Sequence, residues 1–299
     1  MTQAAYVARP ALATATPFSL SLTHCRKSER VLIAFFIYTA GFCFLRNLNV
    51  AHKLLALVIP FTLFGAACLE SCRGSSSTRV VRDWIFPALV LGGYWQMQWF
   101  ASAPDTRLQQ LWLGWDRLLL DEWGLRLLIE SLGRVLPWCL ELSYLLLYVI
   151  PPACLVVLYW QRAYVNVNRF LLTFALGTLA VYALLPWIAV QSPRIAFAGQ
   201  DMPTAHSLWR SMNLWILNHM DISTSVFPSG HVAVAFSSAF GIRRALPSKP
   251  LAFLAFLGMA SAVFVATIYG RYHYAVDGVA SIVVCLAVWI GCEAYEQLG

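Results

Sequence analysis

Charge is what this chain has least of. Only 12% of its residues are Asp, Glu, Lys or Arg, against 60% hydrophobic, where a soluble domain carries about 25% charged residues. Spread over 299 residues, that deficit excludes an ordinary soluble globular protein. Most of the surface has to face lipid. Five stretches, Trp84–Pro104, Leu142–Gln161, Leu171–Pro193, Ile222–Ile242 and Leu251–Gly270, contain no Asp, Glu, Lys or Arg at all. A long Lys/Arg run is also absent, so the net charge of +7 does not imply a nucleic-acid partner. The basic residues are scattered through short loops, as in a membrane protein that sets its orientation by them. There is no CxxC pair among the eight cysteines. Cys43, Cys139, Cys154, Cys285 and Cys292 lie in apolar segments, where cysteine acts as a small hydrophobe, and neither a disulfide framework nor a metal site is expected. No internal repeat, low-complexity segment or secretory signal pattern stands out.

What the chain does have is apolar length. A hydrocarbon core of about 30 Å takes ~20 helical residues. The five uncharged stretches qualify, and Val31–Leu45, Leu54–Leu69 and Gly278–Cys292 qualify once flanking residues snorkel. The expected fold is therefore an all-α, polytopic membrane helix bundle of about eight spans, or six if the first two short segments form an interfacial hairpin. Twelve Trp and twelve Tyr suit aromatic belts at headgroup depth. Residues 1–30 are polar and nearly free of acids, a composition that transit peptides share; the expectation is a cytoplasmic tail. Residues 31–104 hold the N-terminal spans. Residues 105–136, with Trp112, Trp115, Leu118, Trp123 and Leu127 set among charges, read as interfacial amphipathic helices. Within them Asp116, Arg117, Asp121 and Glu122 read as a solvated face. Residues 137–299 form the core. The loop Arg194–Asp221 is either a rim over a site or a plain connector. With eight spans, Arg26, Lys27, Arg30, Arg79, Arg82, Arg243 and Arg244 fall on the side of the termini. That bias places both termini in the cytoplasm and the ends near His231 and His273 on the opposite, non-cytoplasmic face.

Those two ends carry the chemistry. Phe227-Pro228-Ser229-Gly230-His231 opens one apolar segment, and Gly270-Arg271-Tyr272-His273-Tyr274-Ala275-Val276-Asp277 precedes another. His273 and Asp277 are four apart and share a helix side. The carboxylate there can fix the ring tautomer and raise nucleophilicity. His231 suits the general acid. Ser229 and Gly230 open a helix whose free N–H groups and dipole favour an anion. Arg194 and Arg271 offer planar forks for phosphate oxygens. Glu141, an acid near an apolar segment, either snorkels or meets a headgroup. A metal could use two His and an Asp, but Gly230 and the arginines favour an anion, and no cofactor is expected. A transporter or lipid-binding scaffold is the rival class; it would call for repeated segments.

The residues resemble the type 2 phosphatidic acid phosphatase superfamily, whose membrane members keep K-x6-R-P, P-S-G-H and S-R-x5-H-x3-D. The second matches fully at Pro228–His231 and the H-x3-D part of the third at His273–Asp277. The resemblance covers roughly Leu171–Cys292. It implies that His273 is the nucleophile, His231 the acid and Asp277 the orienter, with a membrane lipid phosphate as substrate. Trp187 stands where the pattern has Lys, Thr267 where it has Arg, and Arg194 follows Pro193 instead of preceding a proline. The run Tyr269–Tyr274 is most similar to the inositolphosphotransferase branch that includes inositol phosphorylceramide synthases. There the resemblance implies transfer of a phospho-headgroup to a lipid hydroxyl.

Overall fold

The computed structural model describes residues 25–73, 76–224 and 226–298, and every regular element among them is helical. The expected N-terminal tail therefore lies outside the described residues up to His24. In chain order the helices are α1 (Lys27–Leu45), α2 (Val50–Arg73), α3 (Ser76–Gln96), α4 (Thr106–Arg117), α5 (Leu125–Ser131), α6 (Val135–Leu145), α7 (Ile150–Trp160), α8 (Val167–Leu184), the single turn α9 (Pro193–Ala196), α10 (Leu208–Met220), α11 (Gly230–Ala245), α12 (Pro250–Tyr269) and α13 (Ala275–Leu298).

Contacts between helix ends sort them onto two faces. Arg26 pairs with Asp83, which also accepts from the Tyr159 hydroxyl at 2.8 Å. Ser28 donates to Asn168, Asn166 to the Ala245 carbonyl, and Arg244 pairs with Glu296 at 2.7 Å. The starts of α1, α3 and α8 thus share a face with the ends of α7, α11 and α13. On the other face Arg46, just past α1, reaches the Pro186 carbonyl beyond α8 at 3.1 Å. Tyr94 near the end of α3 meets Asp221, and the start of α11 meets the loop after α12. The described residues therefore pass through the bundle eight times, with α6 and α7 as one broken pass.

Six of these passes are long and apolar enough to cross a membrane: Lys27–Leu45, Val50–Cys68, Val135–Trp160, Tyr164–Trp187, Pro250–Tyr269 and Ala275–Gln297. The first two are separate helices, each of membrane length, packed against each other. The remaining passes, α3 and α11, correspond to two stretches whose lack of charge makes them read as clear spans. α3 starts earlier than expected and takes in Arg79, Arg82 and Asp83. α11 has only 16 residues, because residues 222–224 and 226–228 lie outside any helix and Ser229 caps the helix by accepting from the Val232 N–H at 3.3 Å. Only Val234 and Arg243 of α11 escape burial, so this short helix is the centre of the bundle.

Close approach at the centre depends on small residues. Gly177 of α8 faces Ser237 of α11, and Thr178 hydrogen-bonds Ser237 at 2.7 Å. A Cβ on residue 177 would stand 2.8 Å from Ser237 Cβ and 3.4 Å from Cys285 Sγ. Within membranes such small-residue contacts let backbones meet where no hydrophobic driving force exists.

The stretch between α3 and α6 folds as the amphipathic helices α4 and α5, and its two faces differ. Trp115, Trp123, Leu127 and Leu128 are exposed, while Trp112 and Leu113 are buried in a second core with Val190, Val226 and Tyr274. α4 is thus a roof packed on the start of α13.

The contact at residue 177 is testable. Gly177→Val should lower the stability of the detergent-purified protein by about 1–3 kcal/mol through overpacking. Gly258→Val, where an added Cβ meets nothing within 4 Å, should not. Thermal melting of the two variants compares them, and equal melting temperatures would refute the packing account.

Candidate active site

Two helix starts are stapled together to build the site. The Ser229 N–H donates to the Asp277 carbonyl at 3.1 Å, and the Ser281 hydroxyl lies 2.8 Å from the Ser229 carbonyl and 3.0 Å from that of Asp277. This brings His231, at the start of α11, next to His273 in the loop before α13, across 42 residues of sequence. His231 Nδ1 lies 3.1 Å from His273 Nε2. His273 Nδ1 lies 3.2 Å from Asp277 Oδ2, an oxygen that also accepts the Tyr274 N–H at 3.0 Å. A carboxylate only accepts, so His273 Nδ1 carries the proton and donates. Its Nε2 then presents a lone pair, and His231 Nδ1–H donates to it. Burial holds the His273 imidazole down at about 4, against the pull of Asp221, so the ring is neutral at pH 7 and its Nε2 accepts from His231.

Arg194 reaches this centre from α9. Its backbone N–H donates to the Arg271 carbonyl at 3.1 Å. Its guanidinium donates to Asn218 at 2.8 Å and to the Leu217 carbonyl at 3.3 Å, and lies 3.5 Å from Asp221. Its Nε is buried with no hydrogen-bond partner among the described residues. Arg271 is paired: its Nη1 donates to Asp116 at 2.7 Å, and both side chains are 1% exposed. Its Nε and Nη2 are buried and lack partners among the described residues. Buried guanidinium donors left over in this way need an acceptor, and both arginines flank His273 in the chain contacts just described.

Some expected roles look different in three dimensions. Asp116 is not on a solvated face. Its second oxygen accepts the Ala275 N–H at 2.9 Å, so α4 grips both the loop and the first residue of α13. Glu141 neither snorkels nor faces a headgroup. It is buried, pairs with Arg210 at 2.7 Å, and accepts from Tyr272 at 2.5 Å and Asn213 at 2.8 Å. Ser229 Oγ accepts the Val232 N–H and so caps α11, which leaves its hydroxyl hydrogen to donate. Gly230 is required by its neighbours, since a Cβ there would come within 2.9 Å of the Tyr182 ring. The Arg194–Asp221 loop contains α10 and forms a wall of the site. Three residues of the site had no local signal: Asp221, Arg210 and Tyr94. The rings of Tyr94, Tyr144 and Tyr148 surround His231 at 6.0, 5.3 and 6.3 Å. Tyrosine is common throughout this chain, so nothing in the sequence singles those three out.

The model of the family described as PAP2 superfamily matches residues 113–291, a segment that contains His231, His273, Asp277, Arg194, Arg271 and Asp116. No curated protein and no solved structure matches the chain.

Removing one partner of a buried ion pair strands the other charge, at about 3–5 kcal/mol. Asp116→Ala should therefore destabilise the protein by that amount, and adding Arg271→Met should restore a large part of it. Chemical or thermal denaturation in detergent measures both. A single variant as stable as wild type would show that the pair carries no such role.

Proposed function

The chain belongs to the PAP2 superfamily, and on that premise we propose that it is an integral-membrane enzyme that cleaves a lipid phosphate ester through a phosphohistidine on His273. Membership and the membrane-length helices fit a membrane lipid phosphatase. The finer reading rests on one observation, the hydrogen-bonded series His231–His273–Asp277 at 3.1 and 3.2 Å.

In this reading the bound phosphoryl group displaces His231 from His273 Nε2, Nε2 attacks phosphorus, and the bond from phosphorus to the lipid oxygen breaks. His231 supplies the proton to that departing oxygen. Asp277 keeps Nδ1–H in place and stabilises the positive ring that forms. Arg194 and Arg271, with the leftover N–H groups noted above, and the N-terminus of α11 stabilise the charge spread over the equatorial phosphoryl oxygens. In the second half water or a lipid hydroxyl attacks phosphorus, the P–N bond breaks, and His231 takes the proton. Ser229 and Gly230 hold the start of α11 in position for this.

The missing cations bear on the substrate. With Trp187 and Thr267 at positions where the family pattern has Lys and Arg, the site carries less positive charge than a phosphomonoester dianion asks for. A monoanionic diester and transfer of its phospho-headgroup to a lipid hydroxyl, as in inositol phosphorylceramide synthases, belong to the proposal for that reason. Product analysis with and without a lipid-hydroxyl acceptor separates transfer from hydrolysis.

The proposed intermediate can be trapped. Rapid quench with labelled substrate should leave a label on the protein that is stable to base and labile to acid. It should vanish with His273→Ala, along with nearly all turnover, whereas Asp277→Asn should retain a small residual rate. Near-normal turnover by folded His273→Ala would sink the mechanism, and an acid-stable label on Ser229 would move the nucleophile.

The site is further proposed to face away from the cytoplasm, following the Lys/Arg bias of the loops. In sealed right-side-out vesicles of a Cys-depleted protein, an impermeant thiol reagent should label Thr204→Cys and spare Ser248→Cys. The reverse pattern would invert the topology.

A further inference from the structure

We propose that an apolar groove beside His231 holds the alcohol portion of the substrate lipid. We further propose that Asp221 there selects alcohols with a second hydrogen-bond donor next to the reacting oxygen. This rests on the reading of His231 as the group that exchanges a proton with that oxygen. A cavity of about 490 Å³ opens at Gly230 and His231. One wall is a single face of α3, from Trp84 through Pro87 and Leu91 to Tyr94 and Trp95. At 1.5 Å per residue that face is about 16 Å long, which suits an extended hydrocarbon chain. Trp84, Trp95 and Met220 are 40%, 44% and 49% exposed, so the groove is open on its flank toward lipid.

Position and charge narrow the occupant. His231 lines the groove, and His273 and Arg194 do not. Phosphorus therefore belongs at His273 and Arg194, and the groove presents to His231 whatever is joined to phosphorus through oxygen. The groove carries one carboxylate, Asp221, and neither Lys nor Arg lines it. An anion would be repelled along it, while a neutral lipid alcohol would not.

Asp221 is the element of choice within that class. One of its oxygens accepts from the Tyr94 hydroxyl and from the Ile222 N–H. The other meets Arg194 alone among the described residues, at 3.5 Å. A carboxylate accepts and cannot donate. An alcohol esterified everywhere except at the reacting oxygen offers it nothing. An alcohol with a free hydroxyl or amide N–H on the neighbouring carbon completes its hydrogen bonding. The α3 wall lies outside residues 113–291 and Asp221 lies within them, so the groove joins a carboxylate of the family segment to a wall that the segment does not include.

The test reads binding, which needs no turnover, so its failure leaves the phosphohistidine chemistry untouched. Dissociation constants are measured in detergent for monopalmitoylglycerol and for its deoxy analogue that keeps only the terminal hydroxyl. The octanoyl counterparts are measured beside them. Wild type should favour the glycerol compound by about tenfold, since a site built to hydrogen-bond a group discriminates against its absence. Asp221→Ala should bring the two constants together. Ala88→Phe, a change on the exposed groove face of α3, should weaken the palmitoyl compounds and spare the octanoyl ones. Equal affinities or no binding in wild type would overturn the proposal. An unchanged preference in Asp221→Ala would reduce Asp221 to a support for Arg194. An unchanged chain-length response in Ala88→Phe would put the hydrocarbon elsewhere.

Discussion

The loop between α12 and α13 is held by buried charges, and the site depends on that restraint. Arg271 is gripped by Asp116 of α4. Its neighbour Tyr272 is gripped by Glu141 of α6, itself paired with Arg210 of α10. The Arg271 carbonyl receives the Arg194 N–H, and His273 is tied to Asp277 of α13. Four separate helices thus converge on residues 271–273. A charge taken out of water is costly unless paired and hydrogen-bonded, and a pair broken on one side costs far more than the intact pair contributes. Each acid therefore has one acceptable place, and together they leave His273 little freedom. Rigid placement of this kind is what phosphoryl transfer asks of a protein that supplies mainly position and charge.

The chain divides its labour along the sequence. The family segment, 113–291, supplies both histidines, the aspartate and the arginines. The helices before it supply shape. α1 packs on α8 and α2, and α3 closes one side of the cavity next to His231. α2 is the least embedded of the membrane-length helices, with 17% of its span buried, so its surroundings are lipid on most sides.

Much of the architecture was legible locally. Hydropathy is a sum over neighbours in sequence, and it locates membrane-length helices well where the chain is apolar throughout, as in α12. It failed where loop and helix are equally free of charge: residues 222–224 and 226–228 read like the α11 that follows, and only the Ser229 cap separates them. It also misread charges whose partners are far away. Asp116 looks like one of several solvated charges in an amphipathic stretch, because its partner lies 155 residues on. Glu141 looks like a snorkelling acid for the same reason, with Arg210 69 residues away.

The sequence by itself determined the fold class, the two histidine-bearing helix starts and the i,i+4 relation of His273 to Asp277. Composition, periodicity and short-range spacing act between residues that the backbone keeps close in any conformation. Tertiary structure alone decided which acids are buried and which arginine each one holds. It also decided that α4 roofs the start of α13, and that Asp221 and Tyr94 stand beside His231. Those outcomes follow from bringing distant helix ends together at one face of the bundle, where exclusion of water forces each charge to find a partner.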